Sequence, residues 1–250
     1  MKLKTFLPSL LISTLLGGAA GLHAAVVVID DFEAGEGHFA SATNASGSIR
    51  RVLASSTAEQ NFVEFFQGSA SQQLIINRNP DTAAPAPAFP SGPGEWFLRH
   101  LSGGGTIANN TSIPNTGTTW VGYWIKTTSS NLEAGIILDD NLASGNAHEI
   151  AVFQPVIGDG MWHLYQYELS NANSWENFAP GTNNPGGEIN NATVTIDSLA
   201  FRGKAGVLTD TETFHIDNVT YSTDGPIPVP EPSALAFAGL GALALARRKQ

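Results

Sequence analysis

Between residues 26 and 222 apolar and aromatic side chains come in short stretches with a period of two, each bounded by Gly, Asn, Ser or Pro. Side chains alternating residue by residue fall on opposite faces of a pleated strand, and frequent turn formers leave no room for long helices. The pattern predicts strands at 26–32, 49–54, 62–67, 72–77, 95–101, 118–127, 135–138, 148–153, 161–169, 193–201 and 214–221. No stretch carries a sustained helical stripe. Such a set of strands fits an all-β fold, a two-sheet β-sandwich of the jelly-roll type. In 118–127, Val121, Tyr123 and Ile125 alternate with Trp120, Gly122 and Trp124, so both faces are apolar and the strand is predicted to be central. Two strands slip phase, at Asp217-Asn218 between Ile216 and Val219 and at Asp197-Ser198 between Ile196 and Leu199. One extra residue at each slip predicts a β-bulge, a device that re-aims side chains.

Residues 80–94, with five prolines, read as a surface loop, and 170–190 as a second long loop carrying Trp175 and Phe178. The absence of cysteine removes disulfides, thiolate metal sites and cysteine nucleophiles. Five of the 12 Lys and Arg lie at the chain ends (Lys2, Lys4, Arg247, Arg248, Lys249), so residues 25–229 keep 7 basic against 21 acidic residues, a net of −14. A surface of that sign argues against nucleic acid, whose phosphates demand a basic face.

The ends carry processing signals. Lys2 and Lys4 precede an apolar stretch from 6 to 16 and small residues up to Ala24, the three-part grammar of a signal peptide, read here as a signal helix cleaved after Ala24 by a signal peptidase of the export machinery. At the other end Pro226, Pro228, Pro230 and Pro232 forbid helix and impose an extended, solvated spacer, so the folded domain is expected to end near Ser222. Residues 233–246 hold no charge and form a short, transmembrane-like apolar helix of about 21 Å against a hydrocarbon core of about 30 Å. The Arg247-Arg248-Lys249 cluster holds the terminus on the cytoplasmic side. Length makes this a temporary handle more than a durable anchor. The organisation is therefore a signal peptide (1–24), a sandwich domain (25–223), a Pro-rich spacer (224–232), the apolar helix (233–246) and a basic tail (247–250).

The Pro230-Glu231-Pro232 triplet, the apolar helix and the Arg247-Arg248 pair, in that order at the chain end, resemble the PEP-CTERM sorting signal of Gram-negative bacteria. The resemblance implies that an exosortase, a membrane-embedded processing enzyme, reads those five residues and cleaves near the triplet. The product would pass through a transient membrane tether to the cell surface or the extracellular matrix. The body shows a second resemblance, carried by Asp30-Asp31-Phe32-Glu33, Gly160-Met161-Trp162-His163-Leu164 and Phe214-His215-Ile216-Asp217-Asn218-Val219. It is similar to jelly-roll domains of the carbohydrate-binding-module type. That resemblance implies a structural calcium tying the first strand to the last through Glu33 and Asp217, with Asp31 a further candidate ligand. The alternative is that Asp217 caps the bulge while Glu33 is solvated.

A sugar site presents flat aromatics and a few fixed polar groups. Tyr165 and Tyr167 share one side of their strand with His163, while Trp162 lies opposite and is assigned to the core. Tyr165, Tyr167 and Trp175 are the candidate ligand contacts, although sandwich cores also consume aromatics. The six His have no paired spacing, Gly103-Gly104-Gly105 lacks a following Lys-Ser or Lys-Thr, and no Gly-x-Ser-x-Gly elbow occurs. The sequence thus predicts a non-catalytic, surface-sorted protein that binds or sits in extracellular polysaccharide. A matrix protein without a specific ligand and a glycan-degrading enzyme are the alternatives.

Overall fold

The computed structural model describes residues 25–35, 39, 49–80, 88–89, 92–106, 109–140, 148–179 and 187–229. The signal segment, and Pro230, Glu231, Pro232, Arg247 and Arg248 of the sorting signal, lie outside these residues. The described strands are β1 (Val26–Asp30), β2 (Thr57–Asn61), β3 (Ser71–Asn77), β4 (Ala88–Phe89), β5 (Gly92–Leu101), β6 (Ser112–Pro114), β7 (Trp120–Lys126), β8 (Leu132–Asp139), β9 (His148–Ala151), β10 (Gln154–Pro155), β11 (Trp162–Glu168), β12 (Trp175–Ala179), β13 (Thr193–Lys204) and β14 (Thr211–Ser222). They form two antiparallel sheets. One has the order β11-β7-β14-β3-β2, with β1 added beside β14; the other runs β12-β9-β8-β13-β5-β4, with β10 on β8 and β6 on β13. Among the described residues no helix is long and apolar enough to cross a membrane.

The all-β, two-sheet expectation holds, and most predicted strands fall where the period places them. Trp120–Lys126 is central as expected, lying between β11 and β14 with both faces buried. Both phase slips are irregularities in the ladder, between Asp217 and Thr220 in β14 and between Ile196 and Ser198 in β13. At the first of these Asn218 takes φ 45°, a left-handed conformation that Asn tolerates better than most residues. Two predicted strands fail, and the loop read at 170–190 holds β12. Stretch 49–54 contributes only isolated bridges, Arg50 to Phe97 and Val52 to Arg78. Stretch 62–67 is a loop, because side chains take its backbone donors: Asn61 Oδ1 accepts from the N–H of Val63 and Glu64, and Asp217 Oδ2 from those of Phe66 and Gln67.

The inward faces of the sheets meet in one core. Phe201 of the larger sheet packs between Tyr123 and Phe214 of the smaller, with ring centroids 5.8 and 4.7 Å away. Buried polar side chains bridge the two sheets. Tyr123 Oη donates to Gly135 O at 2.6 Å and Tyr167 Oη to Ala134 O at 2.7 Å, at the point where the ladder flanking β8 passes from β9 to β10. These bonds join the sheets, and burial pushes both phenols above their ordinary pKa. Gln72 and His100 form a second cross-sheet pair at 2.7 Å; burial lowers His100 to about 4, so it is neutral across the physiological range. Near the chain ends, the Ala25 N–H donates to Asp224 Oδ1 at 3.0 Å, tying the start of β1 to the end of β14.

Candidate functional site

The register of β11 on β7 decides which aromatics face outward. Tyr165 lies opposite Tyr123 and Tyr167 opposite Val121, all in the core; Leu164 lies opposite Trp124 and Gln166 opposite Gly122, on the outer face. The aromatics expected as ligand contacts are therefore core residues. Tyr165 is 4% and Tyr167 2% exposed. Trp175, 4% exposed, opens β12 and donates its indole N–H to Glu168 O at 2.9 Å, sealing the loop onto the sandwich. The physical reason is the reach of the hydroxyls: Tyr167 spans to the opposite sheet, while Tyr165 Oη accepts the Ile157 N–H at 2.8 Å. Trp162, assigned to the core by sequence, turns outward and is half-buried. Period two separates the two faces of a strand without saying which of them is inside.

On its outer face the six-stranded sheet carries a groove. A cleft of about 430 Å³ is lined by Trp124, Trp162, His163, Leu164, Gln166 and the edge of the expected contact Tyr165, with Gln154, Pro155 and Ile157 along one side. The loop at 61–70 stands beside it and, through Phe66 and Gln67, walls a smaller hollow that shares Trp124. Its Phe66 ring lies flat on Trp124, with centroids 3.7 Å apart and planes at 14°, and stands edge-on to Trp162 at 6.3 Å. Trp162 in turn meets His215 edge-on at 6.5 Å. Lys126 pairs with Glu64 of the same loop. Gly122 faces outward between Gln166 and Thr220. A Cβ there would stand 2.6 Å from Tyr165 O and 2.8 Å from Gln166 Cβ, so only glycine keeps this spacing.

The loop wall is rigid because two carboxylates staple it. Asp217, 0% exposed beneath it, accepts from the N–H of Phe66, Gln67 and Asn218 at 2.8, 3.2 and 2.7 Å. Glu33 Oε1 accepts from the N–H of Ser69 and Ala70 at 2.7 and 2.9 Å, and its Oε2 from Ser69 Oγ at 2.6 Å. Burial pushes Asp217 up to about 6, against the pull of its three donors and with a further push from Glu33; the Ser69 hydroxyl and the Ser69 and Ala70 N–H groups hold Glu33 below its ordinary value. Asp31 Oδ1 accepts the Glu33 N–H at 3.2 Å, a local turn.

This arrangement does not fit the calcium that the sequence resemblance implies. A hard cation takes six to eight oxygens. Here six donors already point at Glu33 and Asp217, presenting the positive ends of their dipoles where a cation would stand. Among the described residues no three His, Cys, Asp or Glu are placed to hold a metal ion together. The expected result is that millimolar calcium added to EDTA-treated protein leaves the melting temperature unchanged; a clear rise would show that the donors give way to the ion.

Fold and groove define a class, an antiparallel β-sandwich with an aromatic cleft on the outer face of one sheet. Beyond that cleft the chain carries a PEP-CTERM protein-sorting motif at residues 228–250, which marks it for export and for the surface or the extracellular space. No curated protein matches the chain in sequence. Among solved structures it is similar to the family 11 carbohydrate-binding module from Clostridium thermocellum in complex with a β-1,3-1,4-mixed-linked tetrasaccharide, at 12% identity and a TM-score of 0.40 over 81% of this chain and 97% of that one. The family 11 module of the cellulosomal cellulase Lic26A-Cel5E of the same organism gives 12%, 0.40, 83% and 99%. A xylan-binding domain of family 22 gives 14%, 0.25, 78% and 99%.

Proposed function

We propose that the protein is a non-catalytic, surface-sorted sandwich whose outer groove binds extracellular polysaccharide, and that an exosortase-type membrane enzyme processes its tail near Pro230-Glu231-Pro232 after a transient tethering by residues 233–246. The observation that carries the binding reading is Trp162, a half-buried indole in an outward cleft beside the amide side chains of Gln154 and Gln166. An apolar ring face supports the C–H face of a pyranose, and flanking amides offer both donors and acceptors to its hydroxyls. A neutral, hydroxyl-rich polymer also suits a surface of net charge −14, which repels polyanions.

Among the described residues the carboxyl raised furthest lies on β9 of the other sheet, away from the groove. Glu149 is pushed up to about 8 by burial and by the charges of Asp140 and Asp139, yet at 1% exposure it is out of reach of a polymer. Binding is tested on a glycan array followed by affinity electrophoresis in the polysaccharide that scores. Trp162→Ala is expected to weaken binding at least about tenfold, roughly 1.4 kcal/mol, while leaving circular dichroism unchanged. Full binding by that variant, or a blank array, would leave the matrix-protein reading in its place; release of reducing ends would point to an enzyme.

A further inference from the structure

The chain does not run into solvent after β14. Gly225 donates its N–H to Thr118 O at 3.1 Å, and Pro226-Ile227-Pro228-Val229 then lie back across the outer face of the six-stranded sheet. Ile227 is 4% exposed and donates its N–H to Gln166 Oε1 at 2.8 Å. With Pro228 it lines a hollow of about 190 Å³ floored by Thr220 and Trp124, between Val28 and Phe66. Val229, 59% exposed, stands at the mouth of the larger cleft with Trp162. Of the spacer expected to be solvated, Ile227 is thus held against the sheet, while its neighbours Pro226, Pro228 and Val229 stay exposed.

The segment suits docking. Its prolines arrive with φ fixed, so little freedom is lost on binding. They also lack N–H groups, which leaves Ile227 as the sole backbone donor of the Pro-Ile-Pro triplet, and Gln166 takes it. Gln166, which takes that donor, lies opposite Gly122 on the outer face of the sheet. These are the same groups that a polymer would use. Gln166 lines the larger cleft and Trp124 lines both cavities, so lifting the tail joins about 430 and 190 Å³ into one trough, long enough for an extended chain.

We propose that this groove is an exchange site, in which residues 226–229 and a polysaccharide chain exclude one another, so that occupancy by the polysaccharide frees the sorting signal for processing. Pro230 follows Val229 directly, and an enzyme that draws an extended peptide into its site needs residues on both sides of the bond. The docked tail withholds the upstream side. Linkage makes the effect reciprocal: whatever favours the undocked tail favours the ligand by the same factor. The inference rests on the groove reading above, and the experiment separates the two.

Amide hydrogen exchange at Ile227 is measured by mass spectrometry in the full chain in detergent, with and without the polysaccharide that scores on the array. Affinities are compared for wild type, Ile227→Asp and the milder Ile227→Ala. Expected are protection of the Ile227 amide in wild type, its loss on adding polysaccharide or in Ile227→Asp, and at least fivefold tighter binding by Ile227→Asp, with Ile227→Ala between. An unprotected Ile227 amide in wild type, protection that persists under saturating polysaccharide, or equal affinity of wild type and Ile227→Asp would overturn the exchange. If neither protein binds any glycan while Ile227 is protected, the polysaccharide reading fails with the exchange, and the docked tail alone stands.

Discussion

Asp217→Ala should cost the fold roughly 3–5 kcal/mol, the largest single loss expected from any residue bordering the groove. The carboxyl is 0% exposed and accepts three backbone N–H groups, two of them from a loop 150 residues and more away in sequence. Alanine leaves all three donors without an acceptor. Each unsatisfied buried donor costs about 1–3 kcal/mol, reduced here because Phe66 and Gln67 lie on a loop that water reaches once it lifts. Lifting also removes Phe66 from the face of Trp124, so the wall of the smaller hollow goes with the staple. Asp217→Asn keeps one acceptor oxygen and removes the charge that burial disfavours, so its loss should be about half that of alanine. Chemical denaturation of the two variants checks this ordering. A loss under about 1 kcal/mol for alanine would show that the loop is held by Glu33, Asn61 and the Lys126–Glu64 pair without help from Asp217.

The staple was half legible. The slip from Ile216 to Val219 located the bulge, since a period-two pattern cannot change phase without an extra residue. What Asp217 does there was not legible, because its donors lie in a stretch whose own composition argues for something else. Phe62, Val63, Phe65 and Phe66 make a persuasive strand by propensity; instead the chain exposes Phe62 by 65% and Val63 by 80% and hands its N–H groups to Asn61 and Asp217. Local propensity was overridden by side-chain acceptors distant in sequence. β2 was missed for the opposite reason: Thr57-Ala58-Glu59-Gln60-Asn61 shows no apolar alternation, as befits a strand at the sheet edge.

The groove itself was misread through a single sign. Alternation grouped Tyr165 with Tyr167 and set Trp162 against them correctly, but only the pairing of β11 with β7 says that the tyrosine side is inner. Since both faces of β7 are apolar, the neighbouring strand gave no guidance. A usable signal existed in Gly122, a residue without a side chain amid Trp120, Trp124 and Tyr123, which marks the position that the backbone of β11 approaches closely. Ile227 is a second such signal. One branched apolar residue between two prolines has no purpose in a solvated spacer, and in the structure it is buried.

Glu149→Gln should make the protein more stable at pH 9 by on the order of 4 kcal/mol while changing almost nothing at pH 4. Burial first, and then the charges of Asp140 and Asp139, raise the Glu149 carboxyl from 4.5 to about 8. Asp140 stays engaged, accepting the N–H of Asn190 and Asn191 at 2.7 and 2.9 Å, so its charge is fixed beside Glu149. The sign follows from proton counting. Below 4.5 both folded and unfolded chains hold the Glu149 proton and the side chain is neutral on either side of the equilibrium. Between 4.5 and 8 the unfolded chain has lost that proton while the folded one keeps it, so stability falls as pH rises by about 1.4 kcal/mol per unit. Above 8 the folded chain carries a buried charge beside Asp140, and the loss is complete. Asp217, raised from 3.8 to about 6, adds a smaller loss of the same sign between those values. Glutamine keeps the shape of the protonated acid and cannot ionise, so its gain over wild type should open progressively from pH 5 and level off near pH 9. Melting temperatures of the two proteins across that range decide the matter: parallel curves would mean that Glu149 ionises in the folded state as readily as in water, and that the acid cluster on β8 and β9 is hydrated despite its burial.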